Sequence, residues 1–336
     1  MYAAGDRAPR HAERAAVVET TSAEVIDTFA STPRALNLLR RWQQDPDRPL
    51  VARAVLAHTT RTLYDLEPRH VEAVCVATEH PLGDIRKEVA MGVQPIVDWR
   101  PDFAFTHVMH FAVERLCGLP SFQDFSRFCA DDPVGVTALG NPARQIREDA
   151  SRQGYPPSQV SQAVRWRIGL AYYSFVREVY TIAVLRAAGL DVRAHPLADA
   201  LFRVDAWTGR TVLSLYISNP RFRDGARGRK PRTVDILAGA TPRFRHEELR
   251  LTTRHEFGCV HLPEAEQITA IARRIKAADR VLPAGLAALL SAHRRLAAFL
   301  ARIQDCLLAL AAAAPIEHEQ RGRLDQVAQL RVAVAA

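Results

Sequence analysis

From Pro157 to Ala188 the chain carries apolar residues at helical spacing, among them Val160, Val164, Ile168, Leu170, Tyr172, Phe175, Val179 and Ile182. Gly189 follows where a helix needs a residue tolerant of positive φ. One long helix is therefore expected here. Before it, from Thr21 to about Asp132, short apolar stripes separated by prolines predict a series of helices, with Thr21 or Ser22 as the first cap. A short helix, Ala143–Arg152, stands alone between breakers. After Pro263 the pattern is helical again, over Glu264–Ala278, Ala284–Leu308 and Ile316–Val332.

The convincing β signal follows the long helix. Val192–His195, Leu201–Trp207 and Thr211–Ser218 read as strands, the last two joined around Thr208-Gly209. With those two residues as the turn, Trp207 pairs with Arg210, Asp205 with Val212 and Phe202 with Leu215. One face then gathers Phe202, Val204, Leu213 and Leu215. The other gathers Arg203, Asp205, Ser214 and Tyr216, with Leu201 and Val212 among them, and a slip of one residue would mix the two sets. The expected fold class is α+β, mostly α. The expected organisation is a lead over 1–20, a helical domain over 21–150, a small α/β module over 151–262 and a helical region over 263–336.

A helix followed by a strand hairpin that carries an aspartate resembles the PD-(D/E)XK nuclease superfamily, the restriction-endonuclease-like fold. The resemblance covers about residues 160–235. It implies that Asp205 and a glutamate of the preceding helix, Glu178 in Val176-Arg177-Glu178-Val179-Tyr180, hold a divalent metal such as Mg²⁺. The family's Glu-x-Lys falls on Ser214-Leu215-Tyr216, so the second carboxylate and the lysine are absent from their places. Lys230 as a migrated lysine and Asp199 as a second carboxylate are the two repairs open to this chain. The resemblance also implies a role in phage defence or mobile-element biology, either as a metal-dependent DNA endonuclease or as a degenerate DNA-binding relative.

Directly after the hairpin, Asn219–Arg232 reads NPRFRDGARGRKPR, with Arg221, Arg223, Arg227, Arg229, Lys230 and Arg232 set against Asp224 alone. Guanidinium forks bind phosphate bidentately, and Phe222 is placed to stack on a base. The stretch is the candidate nucleic-acid-binding segment. Clustering carries more weight here than the net charge of +8, because arginine supplies 42 of the 45 basic residues in an alanine-rich chain and coding bias alone produces that. The alternative is a non-catalytic adaptor whose helical regions bind protein partners.

Smaller constellations favour packing. Arg165-Trp166-Arg167 reads as an interfacial tryptophan with snorkelling arginines. His107 and His110 read as packing residues, and His255, Cys259 and His261 as a strand with a buried thiol. Five scattered cysteines without a C-x-x-C pair point to a reducing compartment. Met1–Thr21 has no apolar core of a signal peptide. Leu282–Ala314 is interrupted by His293, Arg294, Arg295, Arg302 and Asp305, which argues against a membrane span. A cytoplasmic protein is expected. Phosphate-loop, dinucleotide-fingerprint, nucleophile-elbow and H-E-x-x-H patterns are absent, which removes the commonest ATPase, dehydrogenase, hydrolase and metalloprotease readings.

Overall fold

A computed structural model of the chain describes residues 18–46, 48–217 and 232–280, together with Leu296, Leu300 and Ile303. Thr21 begins the helical series. Its side chain accepts from the Glu24 N–H at 3.3 Å and caps α1 (Ser22–Phe29). The prolines then act as helix starters, opening α2 (Pro33–Gln43), α3 (Pro49–Ala57) and α5 (Pro68–Ala77). Between them α4 (Thr62–Asp65) is capped from a distance: the Glu114 carboxylate accepts from the N–H groups of Arg61, Thr62 and Leu63. There follow α6 (Lys87–Met91), α7 (Gln94–Asp98), α8 (Phe105–Arg115), α9 (Phe122–Asp131), α10 (Pro133–Gly135), a π-helical turn at Val136–Gly140, and α11 (Asn141–Arg152). Two short strands, β1 (Thr20–Thr21) and β2 (Thr59–Thr60), pair antiparallel among these helices.

The long helix α12 (Pro157–Ala187) is the axis of the fold. It packs against α5, α6, α7, α8 and α11. Its second half is almost wholly buried, from Tyr172 through Phe175, Val179 and Ile182 to Leu185. By length and composition it would also suit a membrane, yet two-thirds of its most apolar stretch, 67%, is buried inside the protein. Gly189 ends it at φ +79. Arg165 and Arg167 lash neighbouring turns to it, Arg165 donating to Pro81 O at 2.8 Å and Arg167 to Trp99 O at 2.7 Å. The Arg-Trp-Arg segment is thus structural packing.

After α12 the sheet builds in a fixed order. Arg193 bridges antiparallel to Trp207, β3 (Ala206–Thr208) pairs antiparallel with β4 (Thr211–Ile217), and β4 pairs parallel with β5 (Arg245–Leu251). The short helix α13 (Thr233–Ile236) lies between β4 and β5 in the chain. Here the structure corrects two expectations. Leu201–Trp207 is not one strand: residues Ala198–Phe202 form a second π-helical turn, Arg203 sits at φ 57, and only Ala206–Thr208 is extended. The hairpin turn is Gly209-Arg210, so Trp207 pairs with Val212 and Thr208 with Thr211. Among the described residues Gly209 has a positive φ of 53 and Arg210 does not, the pattern of a turn that wants glycine at its first central position. The register moves by two residues: Leu213 keeps its buried face, but Phe202 and Val204 are buried outside the strand, Leu215 is half-buried, and Val212, expected on the opposite face, is buried.

The strand β5 has no counterpart in the sequence expectations. In Arg-His-Glu-Glu-Leu-Arg-Leu only Leu249 and Leu251 are buried, and the charged residues hide the alternation. A last hairpin, β6 (Thr253–Phe257) with β7 (Val260–Pro263), turns at Gly258-Cys259. Cys259 is therefore a turn residue and does not share a strand face with His255 and His261. The helix α14 (Ala265–Arg280) follows. One compact unit ends at Arg274 and a second begins at Ile275. The expected helices Ala284–Leu308 and Ile316–Val332 lie outside the described residues, apart from Leu296, Leu300 and Ile303.

Two glycines set how closely α9 is approached. A Cβ on Gly135 would collide with the carbonyl of Phe128, and one on Gly140 with that of Cys129. Backbone atoms cannot swing aside, so Gly135→Ala is expected to destabilise the protein by about 1–3 kcal/mol in urea titrations.

Candidate functional site

Three carboxylates come near enough to act on one another's charge. Glu178 comes from α12, Asp199 from the π turn, and Asp205 from the residue just ahead of β3. Asp205 is fixed by the Leu215 N–H of β4, which donates to its carboxylate at 2.7 Å. Burial, then the neighbouring charges of Asp205 and Asp199, raise the Glu178 pKa well above its ordinary value. Burial and Asp199 push Asp205 up to about 7, against the opposing pull of the Leu215 N–H and Arg203. By accessible surface Glu178 and Asp205 are only half-buried, although protein encloses them closely. A recess open to solvent on one side has both properties. Like charges held together in such a recess share protons, so Glu178 and Asp205 titrate together.

On the far side of Asp199 stands His107 of α8, its Nε2 3.7 Å from the carboxylate. Both ring nitrogens of His107 are buried without a hydrogen bond. It belongs to a set of four buried histidines. The His58 ring lies 5.1 Å from that of His195 and 6.1 Å from that of His110. His195 is held as one neutral tautomer: its Nε2–H donates to His58 O at 3.0 Å, and its Nδ1 accepts from the Leu197 N–H at 3.0 Å. Burial above all keeps His58 down to about 3, His195 to about 4 and His110 well below the ordinary imidazole value. The pair expected to be packing residues thus splits. His110 is packed against Phe175, whereas His107 faces the acidic recess. Its link to Asp199 spans elements far apart in the chain and leaves no mark in local spacing.

The expected site residues divide accordingly. Glu178 and Asp205 are brought together, with Asp199 beside them. Ser214 and Tyr216 occupy β4 as the sequence placed them, whereas Asp205 lies one residue ahead of β3, outside the paired residues. Across from Ser214, β5 sets Glu248, but Glu248 is exposed and paired with Arg250 at 2.9 Å. Arg221, Arg223, Arg227, Arg229 and Lys230 lie outside the described residues. Arg232 is described; it is exposed and pairs with Asp235 at 3.5 Å. The next residue, Thr233, donates its hydroxyl to Arg203 O, two residues from Asp205.

No family model, curated protein or solved structure matches this chain.

Proposed function

We propose that this protein acts on nucleic acid through a nuclease-like core, with Glu178 and Asp205 as the seat of a divalent cation of the Mg²⁺ class and the arginine-rich segment 219–232 on the phosphate backbone. The observation that carries the reading is the shared recess of Glu178, Asp199 and Asp205. Burying like charges together opposes folding, and such arrangements concentrate at functional sites. Hard carboxylate oxygens suit a hard cation. Among the described residues no group of three or more His, Cys, Asp or Glu is arranged to hold a metal ion. Mg²⁺ is commonly bound through one or two carboxylates and otherwise by water, so Glu178 and Asp205 are the carboxylates that would hold it.

A cation bound there supplies charge stabilisation at a phosphoryl oxygen and acidifies a bound water. The chain's own groups have narrower tasks. The Leu215 N–H and Arg203 favour the ionised form of Asp205 and fix its orientation. Ser214 and Tyr216 supply neither the second carboxylate nor the lysine cation that the resemblance implies. Binding is accordingly the dominant activity, and any cleavage depends on Asp205. Affiliation with DNA and with phage defence or mobile elements rests on the resemblance alone.

The test is a gel-shift titration of the full chain on duplex DNA at about 50 and about 200 mM salt, with Mg²⁺ present. Six phosphate contacts predict an affinity loss on the order of 10³ between the two conditions. Absence of a shift at the lower salt overturns the reading. Mg²⁺-dependent nicking in the wild type that disappears in Asp205→Ala identifies an active nuclease; binding without nicking identifies the degenerate relative.

A further inference from the structure

A second concave site lies well away from the acidic recess. Its floor is apolar, formed by Phe122 and Phe125 of α9, Leu139 of the first π turn and Ile168 of α12. Ile168 precedes Glu178 by ten residues, roughly 15 Å along the helix axis. The cavity measures about 470 Å³, within the range that small organic ligands occupy. The π turn that forms one wall is a conformation that concentrates at functional positions.

Charge at the rim is unbalanced. Arg165 is already engaged, donating to the carbonyls of Pro81 and His80 and pairing with Glu79 at 3.3 Å. That pairing neutralises Glu79, the acidic residue of the lining. Among the described residues Arg144 meets only the neutral Asn141 side chain, at 3.0 Å. Arg147 makes no hydrogen bond or ion pair among the described residues, while the protein around it depresses its pKa. Two guanidinium groups therefore face the cavity mouth with no anion to answer them.

The floor offers no free hydrogen-bonding edge. The Ser126 hydroxyl is spent on Phe122 O at 2.8 Å. The Cys129 thiol, pushed up to about 12 by burial, stays neutral. A nucleobase or sugar would bury polar atoms there without partners, at a cost of several kcal/mol. An aliphatic body would not.

We infer that this cavity binds a small amphiphile with an alkyl or acyl body and an anionic head, carboxylate or phosphate, held by Arg144 and Arg147. The inference is independent of the nucleic-acid reading, because none of its residues contributes to the acidic recess or the basic segment.

Calorimetric titration of the full chain with octanoate, octyl phosphate, 1-octanol, inorganic phosphate and 5′-AMP tests it. One of the two octyl anions is expected to bind at a single saturable site, and the tighter one identifies the head group. Octanol and inorganic phosphate, each lacking one half of the ligand, should bind at least about tenfold more weakly. The double substitution Arg144→Gln with Arg147→Gln should weaken the octyl anion by about tenfold or more. Ser126→Trp, which sets an indole into the cavity from an exposed position of its lining, should abolish binding. Both variants should melt like the wild type without ligand, which separates loss of the site from loss of the fold. Failure of both octyl anions to saturate, undiminished binding by the arginine variant, or tighter binding of 5′-AMP would each overturn the inference.

Discussion

Replacing Asp205 by Asn is expected to make the protein more stable at pH 8, by on the order of 2–4 kcal/mol. The direction follows from the recess. A carboxyl carried from 3.8 to about 7 favours its protonated form in the fold. Its contribution to stability is fully present below the unfolded pKa and is lost as pH rises through 7. At pH 8 the wild type holds an ionised Asp205 against Glu178 and Asp199, and the Asn variant does not. Asn also retains an oxygen to accept the Leu215 N–H, so the β4 contact survives. Denaturant titrations at pH 5 and pH 8 should show the gain growing with pH. Addition of about 10 mM Mg²⁺ at pH 8 should raise the wild-type melting temperature and leave Asp205→Asn unmoved, since a bound cation relieves the same repulsion. A variant that is less stable than wild type at pH 8, with an unchanged pH dependence, would show that the carboxylates do not oppose folding. Stability gained by removing a group that nothing structural requires is the mark of a residue kept for binding or chemistry.

The parts of this site visible in the sequence are those written in local pattern. The apolar stripe and Gly189 mark α12 and its end, and they put Glu178 on a helix. The alternation around Thr211–Leu215 marks the strand that carries Ser214 and Tyr216. The alternation is indifferent to a two-residue shift, so it left the turn undecided; the conformational freedom of Gly209 then selected Gly209-Arg210. The π turn at Ala198–Phe202 has apolar residues at positions that also suit a strand. It is closed by Val204 N–H donating to Ala198 O at 3.1 Å, and it brings Asp199 round to the carboxylate pair. His107 was invisible as a site residue for a different reason. Its relation to Asp199 depends on how α8 docks against α12, and long-range docking is not encoded in the spacing of either segment. The strand β5 was hidden by its own charges, because one buried leucine in every two positions among Arg and Glu reads equally well as a solvated helix.

The histidine cluster should give the protein an acid limb whose steepness depends on Asp205. His58, His110 and His195 have folded pKa values depressed below 6.5. Each contributes stability that is present above the unfolded value and lost as pH falls toward the folded one. Between about pH 6 and pH 4.5 the unfolded chain therefore binds three more protons at these positions than the fold does. Glu178 and Asp205 act the other way in the same window, since the fold holds protons that the unfolded chain releases. The difference of three against two leaves about one proton, or ~1.4 kcal/mol of stability lost per pH unit. Asp205→Asn removes one opposing group and should steepen the limb to ~2.8 kcal/mol per pH unit. His58→Phe removes one histidine, keeps an aromatic ring against Phe111 and His195, and should leave the window nearly flat. Urea titrations at four pH values across it would rank the three proteins. The ranking depends on slopes, so a constant packing cost in His58→Phe does not affect it. Equal slopes for all three would mean that the buried imidazoles and carboxyls exchange their protons with solvent without regard to folding. Protonation of His195 is hindered twice over, because a proton on Nδ1 also displaces the Leu197 N–H.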